Sequence, residues 1–307
     1  MHRFERFLRD QPIFVVATIL APLAIIFGHV DMGLINIEVI VTLFTMMLAL
    51  GLLQSSNVLN VLSIYFIKRS GHSRRLVQLI AFISFVSSLL LSNDIAVLTL
   101  LPIYFYMLSS IDKGFKGQVF GAVLIVIAAN LGGVVFTFSN PQNLIIYDAL
   151  QPTFPEFMRI TGVLALVGLG ILMKSTYFVQ KTPISTRLEL DTIDRKQLAW
   201  GLLSLATVIM SVFGFVSIYL VTPIVMVVVF FVKKTLFARV DYPLLTTFFC
   251  FFIIVGAVSN VSFVDRMLTG LTGSHFSTFM STIVVSQFTS NVPATLLFLS
   301  YTDNLEA

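Results

Sequence analysis

One stretch decides the fold: LVQLIAFISFVSSLLLSNDIAVLTLLPIYFYMLSS, residues 76–110, is apolar apart from Ser92-Asn93-Asp94. Basic residues stand on both sides of it, Arg74-Arg75 before and Lys113 after. The positive-inside rule places both of its ends in the cytoplasm. Each apolar arm has about 15 residues, fewer than the roughly 20 that cross a hydrocarbon core. The sequence therefore predicts a re-entrant helical hairpin over 76–110 with the polar triplet at its tip, since two full crossings would need more length and would leave Asp94 in a lipid-facing loop.

A second polar island, Ser290-Asn291-Val292-Pro293, interrupts the apolar stretch 276–299 in the same way. A further recurrence precedes each island, GLLQSSN at residues 51–57 and GAVSN at residues 256–260. The same pair of features in the same order indicates an internal duplication. Secondary transporters build binding sites near the bilayer midplane from such repeats and their broken helices.

Composition defines the class of protein. The chain has 307 residues, of which 57% are hydrophobic and 11% are charged, whereas soluble domains have roughly a quarter charged residues. Further apolar runs approach the length of a membrane span. They are 13–30, 35–53, 117–136, 157–177, 198–215, 216–232 and 243–258. The sequence predicts an all-α polytopic membrane protein.

Charge and reactive residues exclude other classes. The net charge of +4 comes from basic residues scattered over short loops, a pattern typical of orientation signals and not of a nucleic-acid surface. One cysteine and four dispersed histidines give no disulfide framework and no metal-ligand spacing. No catalytic motif is present, so we expect neither an enzyme nor a bound cofactor. Arg3, Arg6 and Arg9 place the N-terminus in the cytoplasm of what we expect to be a bacterial inner membrane.

The span after the hairpin is expected to be broken. Within residues 117–150 it contains Thr137-Phe138-Ser139-Asn140-Pro141-Gln142-Asn143. Pro141 lacks an amide donor, and the serine and asparagine side chains compete for backbone hydrogen bonds. Unwound backbone at membrane depth is tolerated only where it lines a cavity or is buried in protein.

These elements predict two halves. Residues 1–180 form a first repeat with an inward hairpin, the broken span and a span over 157–178. The charged segment 181–197 is a cytoplasmic linker. Residues 198–307 form a second repeat of three spans and an outward hairpin at 276–299, so that the repeats are inverted. No counterpart of the broken span follows the second hairpin, and we expect the chain to lack the last two spans, as a fragment or a truncated product.

The hairpin tip is a candidate binding site. Where one arm ends and the next begins, free carbonyl groups and free N–H groups lie close together and can hold a cation and an anion. Ser92 and Asn93 add neutral oxygen atoms suited to Na⁺, and the unwound Ser139, Asn140 and Asn143 would face them. Asp94 has two interpretations: a carboxylate inside the membrane that binds Na⁺ or carries the coupling proton, or an N-cap of the second arm.

Three segments resemble the ion transporter superfamily: Ser92–Pro102, Ser139–Leu144 and Ser290–Ala294. That superfamily includes arsenite permeases, NhaD-type Na⁺/H⁺ antiporters and citrate and dicarboxylate carriers, and the chain is most similar to bacterial citrate-transporter-like permeases. The resemblance implies an inverted-repeat fold that is often dimeric, with a moving domain and Na⁺ or H⁺ coupling. Its first cation site would contain Ser92, Asn93, Ser139 and Asn140, and its second Ser290 and Asn291.

The chain departs from that pattern at two positions. Carboxylate carriers typically have the sequence Ser-Asn-Thr at both tips, whereas this chain has Ser92-Asn93-Asp94 at the first and Ser290-Asn291-Val292 at the second. The missing threonines weaken the case for di- or tricarboxylates as substrates.

The sequence hypothesis is a cation-coupled secondary transporter of a small anion, of the citrate/dicarboxylate or arsenite type. The alternatives are a Na⁺/H⁺ antiporter of the same fold, or a truncated half-transporter without activity of its own. Expected partners are a small anion, membrane lipid and a second copy of the chain, with no nucleic acid. The Na⁺ candidates are Ser92, Asn93, Asn140 and Asn291.

Overall fold

A computed structural model describes residues 11–27, 35–68, 70–108, 117–183, 192–258, 262–289, 291–299 and 301. These residues form helices and contain no strand, only an isolated antiparallel bridge between His72 and Pro183. The α-helices are α1 Pro12–Phe27, α2 Ile37–Ser55, α3 Val58–Ile67, α4 Ser73–Leu91, α5 Asn93–Leu108, α6 Gln118–Gly133, α7 Pro141–Leu150, α8 Phe154–Ser175, α9 Arg195–Val212, α10 Ile218–Lys233, α11 Tyr242–Val258, α12 Ser262–Leu271, α13 His275–Thr289 and α14 Asn291–Leu299.

Length and composition show a protein that crosses the membrane several times. Four helical segments of the described chain are long and apolar enough to span a bilayer: Ile37–Ser55, Ser73–Leu91, Phe154–Phe178 and Ile218–Arg239. Helices α1, α5, α6 and α11 are apolar but shorter. The prediction of an all-helical polytopic membrane protein is confirmed.

The helices pack around two large apolar cores. One core lies among α2, α9, α10, α11 and α14, and the other lies among α4, α5, α6 and α8. Leu91 at the end of α4, Phe138 and Leu144 belong to the first core, so the two cores meet beside the predicted hairpin tip. A small third cluster joins α1 to α11 through Ala17, Ala21, Cys250 and Ile253.

The order of the helices recurs along the chain. A long helix, a helix of ten residues and a helical hairpin follow one another as α2, α3 and α4–α5, and again as α11, α12 and α13–α14. The sequence recurrences at 51–57 and 256–260 lie where the long helices α2 and α11 end, at Ser55 and Val258. The prediction did not include the short helices α3 and α12.

The first hairpin arm is longer than the sequence suggested. Helix α4 has 19 residues and begins at Ser73, not at Leu76, which corresponds to a length of about 28 Å. His72 caps it, because its Nδ1 accepts a hydrogen bond from the Arg75 amide at 3.1 Å. The shortness on which the re-entrant interpretation rested therefore applies to α5, with 16 residues, and not to α4.

An extended segment after α8, residues 179–182, which we call the strap, is hydrogen-bonded to the base of the first hairpin. The Ser73 amide donates to the Thr182 carbonyl at 2.9 Å, and the Ser73 hydroxyl donates to the Gln180 carbonyl. The Arg74 side chain donates through Nε to the Val179 carbonyl at 2.9 Å and lies over the Tyr177 ring. The segment that leaves α8 is thereby tied to the first turn of α4.

Candidate functional site: a helix break beside an unwound segment

The first hairpin turns at a single residue. Helix α4 ends at Leu91 and α5 begins at Asn93, while Ser92 between them has φ 75° and ψ 150°. A positive φ is uncommon for a residue other than glycine and is costly unless the surroundings enforce it. Because the two helices are separated by one residue, the carbonyl end of α4 and the amide end of α5 lie next to each other, as the sequence predicted.

Glycine allows α6 to lie directly against the first arm. A Cβ atom at Gly132 would lie 2.1 Å from the Phe85 carbonyl oxygen of α4. One at Gly133 would lie 2.8 Å from the Asn140 amide nitrogen. The carboxyl end of α6 therefore contacts both the hairpin and the segment that follows it, and side chains larger than hydrogen do not fit there.

The predicted unwinding after α6 is present. Residues 134–140 are turns and bends between α6 and α7, and Pro141 begins α7 at a position where the missing amide costs nothing. The Asn143 Nδ2 group donates to the carbonyls of Gly133, Val134 and Phe136 at 2.9–3.0 Å. A single buried amide therefore holds the unwound segment in shape, and this donor group is fully engaged.

Several buried oxygen atoms in this region lack a partner. The Ser139 hydroxyl donates to the Leu89 carbonyl at 2.7 Å, which ties the unwound segment to the end of α4. Asn140 Oδ1, Thr137 Oγ1 and Ser88 Oγ are buried and make no hydrogen bond within the described chain. Buried polar atoms are nearly always satisfied. A set of unsatisfied neutral oxygens beside a helix break has the donor chemistry that suits Na⁺ or water.

Asn93 is held by a residue that the sequence analysis did not include in the site. Its Nδ2 donates to Asn130 Oδ1 of α6 at 3.0 Å. Asn130 in turn donates through Nδ2 to its own helix, to the Val126 carbonyl at 2.9 Å. The hairpin tip and the carboxyl end of α6 are thereby joined by side-chain amides.

Asp94 lies in the first turn of α5, one residue after the start of the helix. Its side chain is exposed and accepts no hydrogen bond from the described residues, so the structure does not show the N-cap contact of the second interpretation. A carboxylate in a first turn is still favoured by the helix dipole. The Asp241 carboxylate caps α11 by accepting from the Leu244 amide at 2.9 Å. Its negative charge repels the charge of the Asp94 carboxylate.

The second hairpin approaches the same broken span. Helix α14 packs against α7 and α11, and its first residue, Asn291, is exposed. Ser290, the other predicted residue of this tip, lies outside the described residues. The unwound segment and α7 therefore lie between elements of both hairpins.

A cleft of about 590 Å³ opens at the far end of α7. Apolar residues of α7, α11 and α14 line it together with the start of α2, and its polar groups include Asn36, Glu38 and Asp148. Asn36 Nδ2 donates to Asp148 Oδ2 at 2.5 Å. The two acidic side chains make this cleft more suitable for the approach of a cation than of a free anion.

Sequence reasoning located the two breaks but not every polar group around them. Asn130, Ser88 and Thr137 were not among the predicted site residues, although Thr137 begins the predicted unwound segment, because serine, threonine and asparagine are common within membrane helices. A signal did exist for Asn130, which directly precedes Leu131-Gly132-Gly133 at the end of α6. The pairing of Asn36 with Asp148 spans 112 residues of sequence and has no local signature.

The described chain combines apolar helices long enough to cross the membrane with a one-residue helix break and an unwound segment whose buried oxygens lack partners. These features are typical of one class of protein, polytopic membrane transporters with broken helices.

Comparison with known proteins agrees with this class. A family profile described as citrate transporter matches residues 5–307, and the chain belongs to that family. An uncharacterised transporter of Methanocaldococcus jannaschii is 22% identical over 85% of this chain and 70% of its own length. The inner membrane protein YbiR of Escherichia coli is 24% identical over 87% of this chain and 72% of its own length. A 46 kDa membrane protein of Mycobacterium leprae is 24% identical over 84% of this chain and 65% of its own.

Proposed function

We propose that this chain is a cation-coupled secondary transporter of a small anion, of the citrate/dicarboxylate or arsenite type, with Na⁺ or H⁺ as the coupling ion. One observation carries the proposal. Asn140 Oδ1, Thr137 Oγ1 and Ser88 Oγ are buried beside a helix break and have no partner among the described residues, in a member of the citrate transporter family. Desolvated neutral oxygens that no protein donor satisfies are expected where a small cation or an ordered water binds.

The proposal gives a role to each polar residue that the sequence predicted for this tip. Ser92, Asn93 and Asn140 offer oxygens to the cation, and the free N–H groups at the start of α5 offer donors to the anion. Ser139 and Asn143 hold the unwound segment in place, since their donor groups are used on backbone carbonyls. Asp94 is the group that binds the cation electrostatically or carries the proton.

The same proposal extends to the whole chain. The recurring order of helices supports two repeats, 1–180 and 198–307, joined by the linker 181–197, and we propose that they are inverted in the membrane. Asn291 and Ser290 at the second tip would contribute to a second cation site. We also propose that the N-terminus lies in the cytoplasm and that two copies of the chain form a homodimer.

The first test is thermal unfolding of the purified protein in detergent. NaCl is compared with choline chloride at constant ionic strength, between pH 5.5 and 8.5, in the presence of citrate, succinate, phosphate, sulfate or arsenite. A ligand at a hundred times its dissociation constant stabilises by about 2.7 kcal/mol. We expect stabilisation by Na⁺ or by protons, and a further increase with one of the anions.

Two other outcomes would contradict the proposal. A response to the cation alone, unaffected by every anion, would favour a Na⁺/H⁺ antiporter. A melting temperature unchanged by all of these cations and anions would oppose a coupled carrier of any kind. The Gln287→Ala variant serves as the control, because Gln287 is exposed and bonds only within its own helix among the described contacts.

A further inference from the structure

The side-chain amides at the first hairpin tip have only one possible orientation. Asn130 lies 2.9 Å from the Val126 carbonyl, which can only accept a hydrogen bond. The atom of Asn130 that faces this carbonyl must therefore be the Nδ2 amine. The oxygen of Asn130 consequently points away from its own helix, toward Asn93.

The orientation passes from Asn130 to Asn93. The atom of Asn93 that lies 3.0 Å from Asn130 Oδ1 has to be a donor, and so it is Nδ2. The remaining polar atom of Asn93, the carbonyl oxygen Oδ1, is then turned away from Asn130. If this amide were flipped, two oxygens would face each other and the hydrogen bond would be lost.

The position of Asn93 gives this orientation a consequence. Asn93 is the first residue of α5, directly after the Ser92 break, and it is only partly buried. The backbone at the start of a helix offers N–H groups, which favour anions. The Asn93 oxygen, fixed at the same point, adds an acceptor that favours a cation. The tip can therefore bind a cation at the Asn93 oxygen and an anion at the neighbouring N–H groups.

We infer that Asn130 is a positioning residue that fixes the Asn93 amide with its oxygen toward the coupling cation. The inference rests on the proposed function, because it assigns the Asn93 side chain to the cation and not to the anion. Asn130 itself touches neither ligand. It acts through the two hydrogen bonds that run from the Val126 carbonyl to Asn93.

Two substitutions at position 130 separate positioning from packing. Asn130→Leu keeps the size of the side chain but removes the acceptor for Asn93, which leaves its amide free to rotate. Asn130→Thr keeps a neutral side chain whose hydroxyl can donate to the Val126 carbonyl and accept from Asn93 Nδ2. Ser84→Ala is the matched control, because the Ser84 hydroxyl donates to the Ile125 carbonyl at 3.2 Å and so joins α6 to the other arm of the hairpin, α4, away from the tip.

The measurement is the concentration of Na⁺, or the pH, that gives half of the wild-type thermal stabilisation, followed by the half-saturating citrate concentration at saturating cation. For Asn130→Leu we expect a cation requirement raised roughly tenfold, the equivalent of about one hydrogen bond, with the citrate value little changed. Asn130→Thr should stay closer to wild type. Ser84→Ala should change the melting temperature alone. Asn130→Ala replaces the leucine variant if that variant does not fold.

The outcomes distinguish the inference from the function on which it rests. A lower melting temperature for Asn130→Leu with an unchanged cation requirement would overturn the positioning role and leave cation coupling intact. Equal loss in Asn130→Leu and Asn130→Thr would also overturn it, since the threonine preserves the acceptor. If the wild-type protein responds neither to Na⁺ nor to pH, cation coupling fails and the inference fails with it.

Discussion

Asn143 holds more of the unwound segment than any other described side chain near the break, since three carbonyl groups share the two hydrogens of its amide nitrogen. A hydrogen bond contributes about 1 kcal/mol net, and a buried carbonyl left unsatisfied costs more. We therefore expect Asn143→Ala to lower the free energy of unfolding by about 2–4 kcal/mol. Thermal unfolding in detergent measures this loss, and a stability close to that of Gln287→Ala would contradict it.

Asp94 is the residue for which the two interpretations make different predictions. If its charge binds the cation or carries the proton, Asp94→Asn removes the dependence of thermal stability on Na⁺ and on pH, because asparagine keeps the shape without the charge. If Asp94 serves only the first turn of α5, the variant keeps the cation response and is merely less stable. The comparison of the two melting curves with and without NaCl decides between them.

At the scale of helices, the contact of α4 with α6 depends on the absence of a side chain at Gly132. A Cβ atom there would meet the Phe85 carbonyl, and overpacking of this kind typically costs about 1–3 kcal/mol. We expect Gly132→Ala to lower the melting temperature and to disturb the site. Gly170→Ala is the matched control in α8, since no neighbouring atom lies within 4 Å of its Cβ position. Equal stability of the two variants would show that the helices can separate without cost.

The start of α9 gives a prediction about pH. Asp194 accepts hydrogen bonds from the Gln197 backbone and side chain, and these hold the pKa of its carboxyl below the usual value. A lowered pKa in the folded state stabilises the protein above the unfolded-state pKa, which is about 3.9. This stabilisation is lost as the pH falls through the folded-state value. The melting temperature of Asp194→Ala should therefore lie below wild type at pH 7, and the difference should shrink in acid; a constant difference would contradict this role.

Helix positions and breaks followed from the sequence, because apolar length and single polar islands are local properties. The break at Ser92 and the unwinding before Pro141 are where they were expected. The start of α4 at Ser73 was missed because its first turn carries Arg74 and Arg75, and the strap from Thr182 that supports it is distant in sequence. The partners of Asn93 and Asp148 could not be predicted, since only the packing of α6 and α2 brings them near.

At the scale of the molecule, the predicted topology places the linker inside the cell and the turn between α9 and α10 outside. Alkaline phosphatase is active only outside the inner membrane, and green fluorescent protein is fluorescent mainly inside. We expect a fusion after Lys181 to be fluorescent and inactive as a phosphatase, and a fusion after Phe215 to show the reverse. If both fusions were fluorescent, or both were active as phosphatase, the prediction that α9 crosses the membrane would be wrong.

The chain has a single cysteine, Cys250, and the structure buries it where α1 meets α11. A thiol in that place is shielded from bulky reagents. The sequence therefore needs little change before cysteines are introduced at chosen positions for labelling. Spin labels attached to cysteines introduced near the two hairpin tips would react selectively. Pulsed electron paramagnetic resonance could then record the distance between the tips in a native membrane, with and without ligand, and so follow a transport cycle in a protein almost unaltered for the purpose.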